Sequence, residues 1–256
     1  WSSDVCSSDL NRIILHCNKS LERLLGSMAD AIFTVDPVQL PEYQNQGASD
    51  NKTPEHDYHC SILSLPYLLG MPPVPGTPYL FQQKRFDMSN YKNQFKIGIV
   101  WAGNPQHSQD RWRSCKLEMC REISEISGLK LFSFMKDTRA RAYITENHTV
   151  DLSENTEDMK IVDMSSYMND FQDTADIIAS LDLVIGVDTS VIHLAGALDK
   201  PTIALLAWNC DWRWSQEGDK NIWYRSLQLV RQTKKGDRKS TRLNSSHTDI
   251  SRMPSS

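Results

Sequence analysis

The sequence predicts an α/β fold with a parallel sheet, and three observations carry this prediction. From residue 95 onward, short apolar runs rich in branched residues alternate with helical segments. The run Leu183–Val187 has the length and composition of a strand buried on both faces. A polar turn, a short helix and a second apolar run, Thr202–Ala207, follow it in the order of a βαβ unit.

The elements predicted between residues 92 and 237 follow one another closely enough to form one complete domain. Alternation of strands with helices of this length is typical of a parallel sheet covered by helices on both faces. The expected order is strand Phe95–Trp101, polar loop Ala102–Arg113, helix Lys116–Ile126, strand Leu129–Met135, helix Arg139–Glu146, loop Asp151–Glu157, strand Lys160–Met164, helix Asp170–Ser180, strand Leu183–Val187, helix Val191–Leu198, strand Thr202–Ala207 and strand Gln228–Arg231.

The chain before this domain has a less regular pattern. Five prolines between Pro66 and Pro78 predict a stiff, extended connection between two domains. We therefore expect residues 11–80 to hold an incomplete N-terminal domain and a linker. Its predicted elements are strand Arg12–Cys17, helix Ser20–Ser27, strand Ala31–Val35, polar loop Glu42–Glu55 and the apolar segment Asp57–Leu69.

Both ends of the chain differ from the rest in composition. Residues 1–10 and 238–256 are rich in serine and have no hydrophobic periodicity. They resemble translated sequencing-adapter DNA, and the alternative is a pair of disordered polar tails. We expect an artefact at each end, and hence a native sequence that is cut on both sides.

Composition limits the partners that this chain of 256 residues is expected to have. A net charge of −4 gives no reason to expect nucleic acid or a membrane surface as a partner. No apolar run approaches the roughly 20 residues of a transmembrane helix, and no secretory signal is visible. The six cysteines form no C-x-x-C pair, which favours free thiols in a reducing cytoplasm over a zinc site.

The turn Asp188-Thr189-Ser190 is the first candidate for a ligand site. It joins a buried strand to a helix, so the free N–H groups of that helix point into the crevice where α/β proteins bind ligands. This geometry suits a phosphate, and the hydroxyls of Thr189 and Ser190 add donors. The alternative is an ordinary βαβ unit whose helix is capped by these side chains.

The loop W-A-G-N-P-Q-H-S-Q-D-R-W-R-S after strand Phe95–Trp101 is the second candidate. Gly103 allows an unusual backbone angle and close approach of a ligand, and Asn104 offers hydrogen bonds. Arg111 and Arg113 suit a diphosphate, unless they are solvated arginines of a surface loop. We expect this loop and the Asp188 turn to share the carboxyl edge of the sheet. The sequence contains neither G-x-G-x-x-G after a strand nor G-x-x-x-x-G-K-[ST].

Further candidates are single residues with two possible roles each. His193 suits a phosphate or sugar oxygen, or is a core histidine bonded to a backbone carbonyl. Lys136 lies at the carboxyl end of a strand, where it contacts a nucleotide or only solvent. Asp173 meets a ribose hydroxyl or stabilises the start of its own helix. The aromatic cluster W-N-C-D-W-R-W, with Trp223 and Tyr224 after it, shapes a sugar subsite or packs a domain edge.

Several of these motifs occur in an order that resembles one family. They are K-I-G-I-V-W-A-G-N-P, R-W-R-S, D-F-Q-D-T-A-D-I-I-A-S-L-D-L-V-I-G-V-D-T-S-V-I-H-L-A-G-A-L-D-K-P, D-W-R-W and W-Y-R-S. The chain resembles the glycosyltransferase family 9-like domain at the end of bacterial tetratricopeptide-repeat proteins, which is related to lipopolysaccharide heptosyltransferases. The resemblance covers about residues 57–237.

The resemblance implies a GT-B fold of two Rossmann-like domains, of which the N-terminal, acceptor-side one is truncated here to residues 11–80 with the linker, and residues 92–237 form the complete C-terminal domain that binds the donor nucleotide. It implies an inverting, metal-independent transfer of a sugar from a nucleotide-sugar donor to a protein or glycan acceptor, with no cofactor. It further implies a donor site made of Asp188, Thr189, Ser190 and His193, of Gly103, Asn104 and Arg113 opposite them, and of Lys136 and Asp173 near the base and ribose.

The same resemblance also marks what this chain lacks. The family's general base is an acidic residue early in the N-terminal domain, and residues 11–94 contain no match to that region, so no catalytic base is assigned. A degenerate, non-catalytic nucleotide-sugar or interaction module of a repeat protein is the alternative function. Another α/β enzyme, such as an epimerase, is the third, and the missing dinucleotide motif counts against it.

Overall fold

The fold is described by a computed structural model, which gives the structure of residues 12–35, 56–70, 78–108, 110–115, 121–136, 161–215, 218–219 and 221–234. Several predicted elements lie outside these residues. They are the segments 1–10 and 238–256, the loops Glu42–Glu55 and Asp151–Glu157, and the helix Arg139–Glu146.

A six-stranded parallel sheet forms the centre of the fold, which confirms the predicted α/β class. Its strands lie in the order β5-β4-β3-β6-β7-β8, and every neighbouring pair is parallel. The bounds are β3 Phe95–Val100, β4 Leu129–Ser133, β5 Ile161–Asp163, β6 Leu183–Val187, β7 Thr202–Leu206 and β8 Leu227–Arg231. Strands β6 and β7 are buried at every residue, as their continuous apolar sequences predict.

The helices connect these strands and carry the polar residues of interest. Helix α5 begins after Asp170, whose carboxylate accepts a hydrogen bond from the Asp173 backbone N–H at 2.8 Å. Helix α6 packs on β6 and β7. The helices are α1 Glu22–Leu25, α2 Leu65–Leu68, α3 Asp110–Arg113, α4 Arg121–Ser124, α5 Phe171–Ala179 and α6 Ser190–Ala197.

Two predicted helical boundaries differ from the structure. The stretch Ala102–Arg113, predicted as a loop, ends in the short helix α3. Within the predicted helix Lys116–Ile126, the described residues are helical only over α4, and residues 116–120 lie outside the described part. The other described strands and helices of the main domain begin and end within two residues of their predicted bounds.

The order of the strands places the candidate site. Chain direction across the sheet reverses between β3 and β6, because β4 and β5 lie on one side of β3 whereas β7 and β8 lie beyond β6. The loops after β3 and β6 therefore leave the sheet in opposite directions and open a crevice at its carboxyl edge. Such a switch point is where open α/β sheets bind ligands.

The N-terminal residues form a separate two-stranded parallel sheet. Strands β1 (Ile14–Asn18) and β2 (Ala31–Val35) pair with Ile14 opposite Ala31. Helix α1 between them contacts α5, where Leu24 is buried and Arg23 forms ion pairs with Asp170 and Asp173. The predicted strands and the helix of this segment are confirmed, whereas the division of the chain into domains stays a prediction.

The predicted linker is anchored to the main domain where it ends. The backbone N–H groups of Tyr79 and Leu80 both donate to the Ala197 carbonyl at the end of α6, at 3.2 and 3.3 Å. A few residues on, Asp176 of α5 accepts a hydrogen bond from the backbone N–H of Gln83 at 2.8 Å. Residues 71–77, which include most of the prolines, lie outside the described part.

Candidate functional site

Two loops meet at the carboxyl edge of the sheet. Strand β3 pairs with β6, with Val100 opposite Gly186, so the segments that follow these strands start side by side. A guanidinium nitrogen of Arg113 donates to the Asp188 carbonyl at 2.9 Å and joins the two segments directly. The prediction that both loops share one edge is confirmed.

A chain of hydrogen bonds fixes the loop after β3. The Gly103 N–H donates to Ser114 Oγ at 3.1 Å, and this hydroxyl donates to Asp110 Oδ1 at 2.9 Å. Arg113 Nε donates to the same carboxylate oxygen at 3.1 Å. Asp110 therefore orients Arg113 toward the Asp188 turn. Sequence reasoning missed both Asp110 and Ser114, although their spacing of four residues was a usable signal for a contact across one helical turn.

Gly103 has a different role from the one expected. It is not among the described glycines with positive φ, which are Gly70, Gly128 and Gly218, so the expected unusual backbone angle is absent. Instead, a Cβ atom at position 103 would overlap the Arg113 guanidinium. Glycine at this position leaves the space that the guanidinium occupies, so a larger residue would displace the Arg113 side chain.

The start of helix α6 has a hydroxyl and backbone N–H groups that can bind a ligand. Thr189 is the N-cap residue with extended backbone (φ −144, ψ 168), but its side chain makes no capping hydrogen bond. Its Oγ1 atom is buried and has no hydrogen-bond partner among the described residues. The first N–H groups of a helix have no partner within the helix, and Ser190 at this position is exposed. A buried hydroxyl beside free N–H groups suits an anionic ligand.

Asp188 precedes this helix and remains ionised. Burial opposes its ionisation, but the combined effects of His193, Trp214 and Arg113 outweigh burial and hold the pKa of Asp188 below its ordinary value. The Trp214 indole N–H is near enough to contribute to this shift. It nonetheless has no partner at hydrogen-bond distance among the described residues, so we treat it as an electrostatic neighbour rather than a donor.

His193 lies between three side chains. Its Nδ1 is 3.2 Å from the Tyr224 hydroxyl, and its Nε2 is 3.7 Å from Asp188 Oδ1. The ring stacks on Trp214 with centroids 4.7 Å apart and planes 23° apart. The expected alternative partner, a backbone carbonyl, is replaced by these side chains. Because both ring nitrogens face protein groups, His193 must exchange one of these contacts when it donates to a ligand.

Tyr224 links His193 to the segment before the main domain. Burial, followed by the nearby hydroxyl of Tyr79, raises the pKa of Tyr224 well above its ordinary value. The phenol is therefore neutral at physiological pH and serves as a hydrogen-bond partner of His193. The sequence grouped Tyr224 with the aromatic cluster, but no spacing signal connected it to a histidine 31 residues earlier.

The remaining predicted site residues have partners of their own. Asn104 is exposed, and its Oδ1 accepts a hydrogen bond from the Gln106 N–H at 2.9 Å. Lys136 Nζ donates to the Met168 carbonyl at 2.7 Å. Asp173 contacts Arg23 and the Asn169 amide, both at 3.0 Å. The predicted role of Asn104 opposite the Asp188 turn, and those of Lys136 and Asp173 at a nucleotide base and ribose, stay predictions.

The described residues also give two findings about the site's surroundings. They contain no group of three or more His, Cys, Asp or Glu side chains that are arranged to hold a metal ion. No helix in the same part of the chain has the length and apolar character that a membrane crossing requires.

Comparison with known proteins gives one family match. Residues 140–242 match the sequence profile of glycosyltransferase family 9 (heptosyltransferase). A search among curated proteins finds no match to this chain. The matched region contains β5 to β8, the Asp188 turn and His193, so this part of the site is similar to the family, whereas the loop with Gly103 and Arg113 lies outside the match.

Three solved structures are similar to the chain at low sequence identity. A family 9 glycosyl transferase from Veillonella parvula is 12% identical with a TM-score of 0.38, over 55% of this chain and 36% of that one. The ADP-heptose lps heptosyltransferase II of E. coli is 14% identical with a TM-score of 0.41, over 60% and 46%. E. coli heptosyltransferase WaaC with ADP is 15% identical with a TM-score of 0.36, over 58% and 44%. The chain thus spans less than half the length of each.

Proposed function

We propose that this chain binds the nucleotide-sugar donor of a family 9-type glycosyltransferase, which transfers the sugar to a protein or glycan acceptor. The observation that carries the proposal is the contact between the two loops at the switch point of the sheet. There the unpartnered Thr189 hydroxyl and the start of α6 lie beside Arg113 and His193. The family match over residues 140–242 supports the same function.

In the proposed reaction, an acceptor hydroxyl attacks the anomeric carbon of the donor sugar from the face opposite the diphosphate. The bond between that carbon and the diphosphate oxygen breaks, and the nucleoside diphosphate leaves with the electron pair. The configuration at the carbon is inverted, and the hydroxyl proton passes to a general base that we do not assign in this chain. The residues named here stabilise the leaving group rather than activate the acceptor.

The start of α6 and the side chains around it suit the negative charge that develops on the leaving diphosphate. Free N–H groups at a helix start stabilise anions, and preorganised donors of this kind lower the barrier without a metal ion. Asp188 opposes an anion in the same place, and the guanidinium of Arg113, which donates to the Asp188 carbonyl, offsets part of its charge. The diphosphate would therefore bind beyond Asp188, toward Thr189 and Ser190.

A second function is favoured by one observation: protein groups already contact the donor atoms of Arg113 and His193. Arg113 already binds Asp110 and the Asp188 carbonyl, and both nitrogens of His193 face protein groups. This arrangement also fits a non-catalytic module that binds a nucleotide sugar, or another partner, without turnover. If the module binds a nucleotide sugar, it shares the donor site with the transferase, and the two functions differ only in whether the sugar is transferred.

Calorimetry on the full chain with UDP, ADP, GDP and NAD tests donor binding. We expect saturable binding of one nucleoside diphosphate, and about tenfold weaker binding in Thr189→Val, because a hydrogen bond to a charged group contributes about 1.5 kcal/mol or more. His193→Ala should weaken binding as well. Thr34→Val in strand β2 is the matched control. Equal affinity of Thr189→Val and the control would overturn the site.

A turnover assay then separates the two functions. Release of the nucleoside diphosphate from a bound nucleotide sugar in the presence of an acceptor supports the transferase. Donor binding without release under any acceptor supports the non-catalytic module. Absence of binding to all four nucleotides by the folded chain contradicts both nucleotide-binding functions.

A further inference from the structure

His193 is enclosed by side chains from three separate parts of the chain. Its Nδ1 lies 3.2 Å from the Tyr224 hydroxyl and its Nε2 lies 3.7 Å from Asp188 Oδ1, while Trp214 stacks on the face of the ring. Turning the ring by 180° about its bond to Cβ would exchange nitrogen for carbon at both polar contacts. Tyr224 and Asp188 therefore favour one orientation of the ring, in which each nitrogen has a polar neighbour.

Trp214 is fixed in place by the turn to which it belongs. This 3₁₀ turn begins after Asp211, whose Oδ1 accepts a hydrogen bond from the Arg213 backbone N–H at 3.0 Å. Arg231 on β8 donates to the Trp214 carbonyl and ties the end of the turn to the sheet. Because Trp214 is fully buried, its stacked face limits how far the His193 ring can move.

The charge of Asp188 determines which nitrogen of a neutral His193 carries the proton. An ionised carboxylate only accepts hydrogen bonds, so it attracts a proton on Nε2 and repels a lone pair there. A neutral imidazole has one N–H group, and Nδ1 is then the nitrogen with the lone pair. The Tyr224 hydroxyl is at hydrogen-bond distance from this lone pair and can donate to it.

Tyr79 offers the Tyr224 proton a second acceptor. Burial, and then the nearby Tyr79 hydroxyl, raise the pKa of Tyr224, so this phenol keeps a proton to donate. If it donated to Tyr79, Nδ1 would have to carry the His193 proton, and Nε2 would turn its lone pair toward the Asp188 carboxylate. Since a hydroxyl both donates and accepts, Tyr79 can instead donate to Tyr224. This order of hydrogen bonds avoids the repulsion at Asp188.

We propose that Asp188 and Tyr224 are positioning residues that keep the single proton of neutral His193 on Nε2. Where this inference concerns a ligand it rests on the proposed function, since it takes the start of α6 as the site of the diphosphate. A diphosphate oxygen takes over the Nε2–H group from Asp188. Because Tyr224 occupies the lone pair of Nδ1, His193 donates a hydrogen bond to the leaving group and does not serve as the general base.

Trp214 gives Asp188 another partner when a ligand binds. Its indole N–H is buried and has no partner at hydrogen-bond distance among the described residues, yet it lies near enough to Asp188 to affect the carboxylate. Rotation of Asp188 toward this N–H leaves the Nε2–H of His193 free for an anion. The carboxylate thereby keeps a donor and is not left as an unpaired buried charge.

Long-range proton–nitrogen NMR of the labelled full chain tests where the proton lies. At about pH 8.5 an ordinary imidazole, with a pKa of about 6.5, is neutral, and its two nitrogen shifts distinguish the tautomers. The His193 signals are those that His193→Gln removes. We expect the Nε2–H tautomer in the parent chain, and a ratio of Nδ1–H to Nε2–H that is larger by roughly fivefold or more in Asp188→Asn. Asp87→Asn, which neutralises an exposed carboxylate elsewhere, is the control and should keep the parent ratio.

Calorimetry with inorganic pyrophosphate tests the contribution of Tyr224. Tyr224→Phe keeps the aromatic ring and removes the hydroxyl that holds Nδ1, so it should raise the Kd by roughly fivefold, the equivalent of one hydrogen bond. Tyr167→Phe is the matched control, because it removes the hydroxyl of a half-exposed ring that packs on Phe86. Equal Kd values for these two variants would show that Tyr224 does not position His193.

The outcomes separate this inference from the proposed function. An Nδ1–H tautomer in the parent chain, a His193 with protons on both nitrogens at that pH, or an unchanged ratio in Asp188→Asn would each overturn the inference, whether or not a nucleotide binds. If the parent shows the expected tautomer but binds neither pyrophosphate nor a nucleotide, the proposed function fails and the position of the proton is supported. The parent spectrum decides this even if Tyr224→Phe does not fold.

Discussion

The ring of Tyr224 lies directly against Gly196 of helix α6. A Cβ atom at position 196 would be 2.5 Å from Tyr224 Cγ and 2.9 Å from a methyl carbon of Leu227. This close approach brings the Tyr224 hydroxyl to His193, one turn earlier on the same helix. The absence of a side chain at position 196 thus sets the position of a hydrogen-bond partner of the candidate site.

Gly196→Ala should therefore destabilise the protein through overpacking. We expect the free energy of unfolding in urea to fall by about 1–3 kcal/mol, because the ring and the helix must move apart. Gly26→Ala is the control, since a Cβ there would meet the Glu22 and Arg23 carbonyl oxygens at 3.3 and 3.5 Å and its φ of −54° suits alanine. A loss as small as that of the control would contradict the close packing.

The Thr189 hydroxyl should contribute nothing to the stability of the ligand-free protein. It is buried and has no hydrogen-bond partner in the described part of the chain, so Thr189→Val should leave the free energy of unfolding unchanged or raise it. Thr174→Val removes a hydroxyl that donates to the Asp170 carbonyl at 2.9 Å and should cost about 1 kcal/mol. If Thr189→Val costs as much as Thr174→Val, the hydroxyl has a structural partner and is not reserved for a ligand.

Gly103 and Arg113 should behave as one unit. Gly103→Ala would push the guanidinium away from the Asp188 carbonyl, so it should cost about as much as the loss of that bond in Arg113→Ala, on the order of 1 kcal/mol each. The double variant should then be little less stable than either single variant. Additive losses in a denaturant-based double-mutant cycle would show that Gly103 has another role.

Asp188 should make stability depend on acid pH. Its pKa is lower in the folded protein than the value of about 3.9 in an unfolded chain, so it stabilises the fold fully above that value. This contribution is lost as the pH falls from about 4 through the depressed folded pKa. Unfolding titrations between roughly pH 5 and pH 2 should show a weaker acid dependence for Asp188→Asn than for the parent. Identical slopes would mean that Asp188 is not stabilised as an anion.

Where α1 contacts α5, the burial of Leu24 should stabilise the protein more than the ion pairs of Arg23 do. Arg23 forms ion pairs with Asp170 and Asp173 but is 46% exposed, so Arg23→Ala should cost at most about 1 kcal/mol. Leu24 is buried, so Leu24→Ala should cost about 2–3 kcal/mol through the cavity it leaves. Thermal unfolding of both variants checks which loss is larger. Repeating it in 1 M salt should change only the contribution of Arg23, because salt screens exposed ion pairs.

Much of the fold could be predicted because its strands are long apolar runs. Leu183–Val187 and Thr202–Ala207 cannot be solvated favourably, and their branched residues favour buried parallel strands. The pairing of β3 with β6 could not be predicted, since it depends on contacts between segments far apart in the chain. Helix α3 was missed because the stretch Ala102–Arg113 is polar and was predicted as a loop, whereas Asp110 at the start of the helix accepts a hydrogen bond from Ser114, the residue after its end.

For the candidate site, the sequence predicted which segments meet but not how their side chains interact. The rule that carboxyl ends of parallel strands share an edge was enough to bring Arg113 next to Asp188. The position of Tyr224 beside His193 depends on the close packing at Gly196, which no local pattern records. The stacking of Trp214 on His193 likewise follows from the turn at Asp211 and from Arg231, which come together only in the folded chain.

The pairing of β3 with β6 also bears on how the protein folds. Lys96 and Asp182, at the start of this pairing, are 86 residues apart in the chain. Closing so long a loop costs configurational entropy before its contacts form, which slows folding relative to local structure. The crevice exists only after this closure, so recovery of ligand binding during refolding should lag behind recovery of helical circular dichroism. Recovery of ligand binding would thus measure the pairing of β3 with β6 rather than the formation of secondary structure.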